Sequence, residues 1–468
     1  MLYGTKRGNG GNFERRPKGT VWKRLLCGIV ATVFASGGIA FAAERPNIVW
    51  IMAEDIGPEL SCYGHPAVHT PNIDALAADG VRFARAFTTA PSCTPSRNAM
   101  MLGVYQTRTD TQDQRRRGVV LPPHIKPITY YLQQAGYFTA LGCGYSNKTD
   151  LNFEWPHLFD GNDWKDRRPG QPFFAQITLW VTHRQPSGWA KDWIEVRRRS
   201  PHPVDPEKVV LPPYYPDHPE CRLDWARYLD AIEYIDAQVG EILARLEREG
   251  LADDTIVIFC GDNGRCHLRC KCWLYDGGIH VPLIVRIPGE KGGIVRDELV
   301  SMLDVSASVL AFAGIPVPEH FDGRPLWGPH AQRRDCIFAA RDLIDDVDDV
   351  IRCVRTERYK YIRNYKPHYG YREPPYVEQN RPMLAVMRRL AAEGKLNAAQ
   401  RLLLAERKPP EELYDLKRDP FELHNLADAP EYREVLDDLR ARLDRWIEET
   451  GDTGLARLND PSEQTRSD

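Results

Sequence analysis

Short apolar runs alternate with stretches of helical spacing along most of this 468-residue chain. "RPNIVWIMAED" reads as a buried strand from Asn47 to Met52 that stops at two acids. In "TPNIDALAADG", Thr70 caps a helix, Pro71 sits in its first turn and Gly80 stops it. "VRFARAF" is a strand, and "ITYYLQQAGYFTALG" gives a helix, a Gly136 stop and another strand. "FFAQITLWVTH", "DTIVIFCGDNG" and "VPLIVRIPG" read as further strands, with a long amphipathic helix from Leu223 to Glu249 among them. Strands that alternate with helices in this way argue for a mostly parallel sheet covered by helices on both faces.

The pattern changes near Asp348. "VIRCVRTERYKYIRNY" reads as a hairpin, residues 381–408 as helical, and "EYREVLDDLRARLDRWIEETG" as an amphipathic helix. The expected organisation is a catalytic domain over 44–347, a small α+β subdomain over 348–455 and a disordered tail over 456–468. Ahead of these, Lys18, Lys23 and Arg24 precede an apolar run from Leu25 to Ala43 with an A-x-A-like end at Ala40 and Ala42. That is the pattern of a signal peptide over 1–43, and it implies a secreted or periplasmic protein with no stable membrane insertion after cleavage. A retained anchor is the alternative. Export permits disulfides. Of eleven cysteines Cys27 leaves with the signal, and the spacing of the remaining ten gives no pairing. "CHLRCKC" suits local packing or a disulfide better than a metal cluster. A net charge of −3 gives no global sign of nucleic-acid binding, and none is expected; Arg115–Arg117 and Arg197–Arg199 read as solvated faces.

The strand ends carry the chemistry. Glu54 and Asp55 follow the first strand, Cys93 follows "VRFARAF", His183 closes "TLWVTH", and Asp262 and Asn263 close "TIVIFCGDN". Ligands of open α/β sheets bind at that edge. Glu, Asp, Asp and Asn offer oxygen ligands, which suit Ca²⁺ or Mg²⁺ better than zinc. Cys93 opens a helix, where anions bind, and Arg97 adds a positive fork for a tetrahedral oxyanion. Lys148 and Lys271 are further cationic candidates. The implied substrate is a phosphate or sulfate ester.

"CTPSRNAMMLG", Cys93 to Gly103, resembles the C-x-P-S-R signature of the type I sulfatases, members of the alkaline phosphatase superfamily. The resemblance runs from Arg45 to about Gly451 and includes "HTPNIDALAADGVRF", "GDNG", "KCWLYDGG" and "ELYDLKRDPFELHNLA". It is strongest to the heparan N-sulfatase (sulfamidase)-like branch. It implies an alkaline-phosphatase-like α/β fold and an exported enzyme that hydrolyses sulfate esters or N-sulfate groups, on a sulfated small molecule or carbohydrate. It also implies a maturation enzyme that converts Cys93 to Cα-formylglycine, whose hydrate attacks sulfur and then expels sulfate. By the same resemblance Glu54, Asp55, Asp262, Asn263 and residue 93 hold Ca²⁺. Arg97 steadies residue 93, while Lys148, His183 and Lys271 hold the sulfate and assist the leaving group.

The sequence departs from the family pattern in three places. The first acid is Glu54 rather than Asp. "NKTD" stands for G-K-x-H, so Lys148 lacks its partner His and His183 becomes the general-acid candidate. Cys270 replaces the Gly before Lys271, and its extra side chain is expected to crowd the turn that places Lys271. His267 and His280 are expected to be structural or substrate-facing. Two other readings stay open: a phosphomonoesterase or phosphodiesterase of the same superfamily, and a non-catalytic carbohydrate-binding relative.

Overall fold

A computed structural model describes residues 45–144, 148–375, 378 and 381–458. The expected signal segment and all of the expected tail beyond Leu458 lie outside the described residues. Seven strands form the main sheet: β1 (Asn47–Ala53), β2 (Val81–Phe87), β3 (Phe138–Leu141), β4 (Phe173–Leu179), β5 (Thr255–Gly261), β6 (His280–Arg286) and β7 (Ile294–Ser301). Their order is β3-β4-β1-β5-β6-β2-β7. All neighbours are parallel except those of β6, which runs antiparallel to both β5 and β2. The sheet is therefore mixed and mostly parallel.

β1 and β5 are buried on both faces, which is why each reads as an unbroken apolar run. The side chains of β1 divide by period two. Val49, Ile51 and Ala53 join one core with helices α1 (Pro71–Ala78) and α4 (Pro219–Arg248). Ile48, Trp50 and Met52 join another with α2 (Cys93–Leu102), α3 (Ile128–Gln134) and α5 (Met302–Phe312). Each fully buried Leu, Ile or Phe in these layers stabilises the fold by roughly 1.5–3 kcal/mol.

A second, antiparallel sheet follows, with β8 (Cys336–Arg341), β9 (Ile351–Thr356), β10 (Tyr359–Asn364) and β11 (Glu411–Asp415) in the order β11-β10-β9-β8. β9 and β10 are the expected hairpin. The first strand of this second sheet, β8, starts at Cys336, ahead of the expected subdomain start at 348. The helical stretch over 381–408 resolves into α6 (Pro382–Ala392) and a short turn of helix at Ala398–Arg401. α7 (Arg433–Thr450) buries Leu436, Leu439, Leu443 and Trp446. They pack with Ala99 of α2 and Leu303 of α5 as well as with the small sheet, so one core joins the two sheets. Ala456–Leu458, at the head of the expected tail, are helical.

The ten described cysteines form no disulfide with one another. "CHLRCKC" is local packing: Cys266 lies against the Thr182 carbonyl and Cys270 against the Tyr214 and Tyr215 hydroxyls. No described helix is long and apolar enough to cross a membrane.

Candidate active site

β4, β1 and β5 lie side by side and parallel, so their carboxyl ends deliver three segments to one edge. The ladder continues one step past the strands, with Glu54 N donating to the Leu179 carbonyl and Asp262 N to that of Ala53. Asp55 then takes a left-handed conformation, φ 49°. The turn aims its carboxylate across the edge, and its own N–H donates to Asp262 Oδ1 at 3.0 Å.

Three buried carboxylates meet three cations here. Glu54 Oε2 accepts from Lys148 Nζ at 2.9 Å, and its Oε1 lies 3.6 Å from the Arg97 guanidinium. Asp55 accepts from Lys271 Nζ at 2.7 and 2.8 Å and from the Asn263 amide at 3.0 Å. Asp262 Oδ2 accepts from Arg97 Nε at 2.9 Å. Cys93, the first residue of α2, sits between them, its Sγ 3.3 Å from Lys271 Nζ and 3.6 Å from Asp55 Oδ1. His183 lies in the turn beyond β4 rather than on the strand, with Nε2 3.9 Å from Asp55 Oδ2. The structure thus brings every expected site residue together.

Burial dominates the electrostatics. It raises the Glu54 carboxyl despite Lys148 and Arg97, and it raises the Cys93 thiol well above its ordinary value despite Lys271. Burial also raises Asp55, but Lys271, then His183, outweigh it and hold that carboxyl well below the usual range. Burial, then the Lys271 ammonium, push His183 down to about 3.

The donor set fits a hard cation. Glu54 Oε1 and Asn263 Oδ1 are buried oxygens that no hydrogen-bond donor reaches, and such atoms are costly to leave unpaired. Ligand atoms of Asp55, Cys93 and Asp262 lie within 4.8 Å of one another, as do those of Glu54, Cys93 and His183. Carboxylate and amide oxygens are the chemistry of Ca²⁺.

Several expectations take a different form. Arg97 is no open fork: Nε holds Asp262, Nη1 donates to Thr178 Oγ1 at 2.9 Å, and the side chain is buried. It braces the acids from below. Cys270 does not crowd Lys271, because its sulfur turns toward Tyr214 and Tyr215, and a Cβ on Gly277 would meet that sulfur at 2.8 Å. Asp150 occupies the place of the missing His and lies 3.4 Å from Lys148. His267 is structural, pairing with Asp224 at 3.5 Å inside a cage that includes Trp225 and Tyr228. His280 stacks on Phe87 and bonds the Ala84 carbonyl.

Sequence reasoning missed three supports. Thr178 links Arg97 to the Lys148 carbonyl (3.2 Å). Gln114, one residue before the arginine run, accepts from Thr94 N at the open start of α2. Gln185 places its amide 3.2 Å from His183 Nδ1. None leaves a periodic signal; only the two-residue spacing of Gln185 from His183 hinted at contact.

Comparison with known proteins agrees with this geometry. The Sulfatase family model matches residues 46–165 and 157–315, more than half of the chain. The chain belongs to the sulfatase family. The model of the N-sulphoglucosamine sulphohydrolase C-terminal region matches residues 264–373, which sets this sulfatase with the sulfamidase-like branch. It is 34% identical to an ulvan-active sulfatase of Formosa agariphila, over 87% of this chain and 76% of that one. It is 26% identical to human N-sulphoglucosamine sulphohydrolase, over 89% and 92%. Among solved structures, the phosphonate monoester hydrolase of Agrobacterium radiobacter shares its fold (TM-score 0.64, 20% identity, 88% of this chain and 97% of that one). As a member of this family the protein is a sulfuric ester hydrolase.

Proposed function

We propose that this sulfatase is an exported enzyme, secreted or periplasmic, that removes sulfate from sulfated carbohydrate with a formylglycine made from Cys93 and a calcium ion. The observation that carries the reading is the seat of Cys93. Within C-x-P-S-R it opens a buried helix, against Lys271 and among oxygen ligands. Glu54, Asp55, Asp262 and Asn263 would hold the cation with residue 93, and the cation would supply charge stabilisation for sulfuryl transfer. Formylglycine would supply a hydrated aldehyde, with one hydroxyl to attack and a second to release sulfate.

The remaining work falls to this chain's own groups. Lys271 and Lys148 donate hydrogen bonds to sulfate oxygens. Arg97 keeps Asp262 and Glu54 in place. His183 faces the leaving group; Asp150 beside Lys148 is an acid where the family has a His, so His183 is left as the proton donor. The Gln185 amide steadies the other ring nitrogen. The domain limits 44–347 and 348–455 and the signal over 1–43 remain part of the same proposal, as does a dedicated maturation enzyme as partner.

Sulfated polysaccharide fragments are the favoured substrates, because the relatives described above are an ulvan-active sulfatase and an N-sulphoglucosamine sulphohydrolase. The likeness to a phosphonate monoester hydrolase is one of fold. Mass spectrometry of the peptide holding residue 93, from a host with the maturation machinery, tests the reading. Formylglycine supports it, and an unmodified thiol with no sulfatase turnover overturns it. Turnover of p-nitrophenyl phosphate in preference to p-nitrophenyl sulfate would favour the phosphoesterase.

A further inference from the structure

Beside the site, on the same edge of the main sheet, lies a cavity of about 290 Å³. Its walls come from the loops that also carry site residues. Pro58 follows Asp55 on the loop after β1. Arg265 and Arg269 lie between Asn263 and Lys271, and Lys271 N donates to the Arg265 carbonyl at 2.9 Å. The opposite wall is Phe421 and Glu422, on the loop after β11, with Arg355 of β9.

Three features of this cavity point to a ligand. First, Phe421 is 41% exposed, the one phenylalanine among the described residues left open to solvent. Its ring stands edge-on to Tyr214, centroids 6.2 Å apart, so the two form an aromatic corner. Second, the lining charges are paired yet positive in sum once their ion-pair partners are included: Arg265, Arg269, Arg355 and Lys360 against Glu59, Asp276 and Glu422. Arg355 holds Asp276 at 3.1 Å, and Arg265 reaches Glu59 and the Tyr214 hydroxyl. Third, Arg269 is buried, stacks on Tyr275 at 3.6 Å, and has no acceptor at Nε or Nη1. Its backbone is left-handed (φ 62°), and it donates to the carbonyl of Glu422, itself left-handed (φ 56°). Two non-glycine residues in that conformation cost on the order of 1 kcal/mol or more each, and both line this cavity.

We propose that this cavity is a secondary carbohydrate subsite, which holds one negatively charged sugar ring of a polymeric substrate at a distance from the sulfate being cleaved. Its size lies just under the ~300–1,000 Å³ range of small-ligand sites, enough for one ring. The apolar face of a pyranose packs on Phe421. Its hydroxyls meet paired guanidinium and carboxylate groups, and its uronate or sulfate meets the surplus positive charge. The proposal rests on the carbohydrate reading above and adds to it the place where the chain is gripped.

Binding is tested apart from turnover in the full chain carrying Cys93→Ala, by titration calorimetry with ulvan and heparin oligosaccharides as the two probes. Phe421→Ala should weaken binding of the better probe roughly three- to tenfold, and Phe421→Trp should keep it. In the enzyme with Cys93 intact, Phe421→Ala should raise KM for that oligosaccharide and leave kcat/KM for p-nitrophenyl sulfate unchanged. Undiminished binding by Phe421→Ala overturns the subsite and leaves the carbohydrate reading standing. If the Cys93→Ala protein with Phe421 intact binds neither probe, the carbohydrate reading and the subsite fail together.

Discussion

Thr178→Val isolates the brace beneath the candidate site. Thr178 is buried on β4, and its hydroxyl accepts from Arg97 Nη1 at 2.9 Å while donating to the Lys148 carbonyl at 3.2 Å. Valine keeps the shape and removes both bonds. A hydrogen bond to a charged group contributes about 1.5–3 kcal/mol, and one between neutral groups about 1. Arg97 Nη2 already lacks an acceptor, so valine would leave Nε as the only bonded nitrogen of a buried guanidinium. The expected loss is about 2.5–4 kcal/mol. Urea denaturation in the presence of calcium should show it as a lower midpoint at unchanged slope. Thr178→Ser, which keeps the hydroxyl, should lose much less. Turnover of p-nitrophenyl sulfate should also fall, because Lys148 loses its backbone anchor and Arg97 its second one. A stability change below about 0.5 kcal/mol, the range of an ordinary surface substitution, would refute the brace.

Asp262→Ala should lower bound calcium, measured by atomic emission, and abolish turnover while circular dichroism stays native. Cys93→Ala should eliminate sulfatase activity, and Cys93→Ser should do so in a host whose maturation enzyme accepts only cysteine; sustained multiple turnover by the alanine variant would rule out an aldehyde nucleophile. His183→Ala should slow a sugar sulfate by roughly 10²–10⁴-fold and an activated aryl sulfate far less, since nitrophenolate leaves without a proton; equal losses would count against the acid role. Burial lifts the Glu373 carboxyl from 4.5 to about 7, against its bond from Trp273. Ionising it penalises only the folded state, so its contribution to stability falls as pH rises through that window, by on the order of 3 kcal/mol, and Glu373→Gln should flatten the measured decline.

The sequence was most legible where one residue's environment repeats a simple rule. β1 and β5 are buried on both faces, so their apolar runs and polar ends showed the strands and the site edge together. β7 escaped notice because it is an edge strand, with Ile294 and Val295 exposed and charges at Arg296, Asp297 and Glu298. The reversed direction of β6 was equally hidden, since a run such as "VPLIVRIPG" is apolar in either direction. Arg97 was visible as a site residue but not as a brace. Its partners Thr178 and Asp262 are distant in sequence, and nothing in local spacing says which way a guanidinium will turn. Cys270 misled for a related reason: the glycine that makes room for it, Gly277, lies on another turn.

The charges of the site bear on how it binds an anion. Glu54, Asp55 and Asp262 carry three negative charges, and Arg97, Lys148 and Lys271 carry three positive ones. Each carboxylate is already engaged, Glu54 by Lys148, Asp55 by Lys271 and Asp262 by Arg97. In the free site His183 adds no charge, because burial and Lys271 keep it neutral near pH 7; its acid role requires that it take up a proton as an anionic ester binds beside it. The protein groups therefore sum to zero and hold no surplus for a sulfate ester. A divalent cation shared by the carboxylates and Asn263 would bring two positive charges, and it would relieve Lys148 and Lys271 of their carboxylate partners. Both ammonium groups would then be available to sulfate oxygens, in a buried setting where such contacts are strong. Calcium would then govern substrate affinity as well as the chemical step. Partial chelation should raise the dissociation constant of inorganic sulfate in the Cys93→Ala protein, and sulfate binding that ignores calcium would show that the lysines act alone.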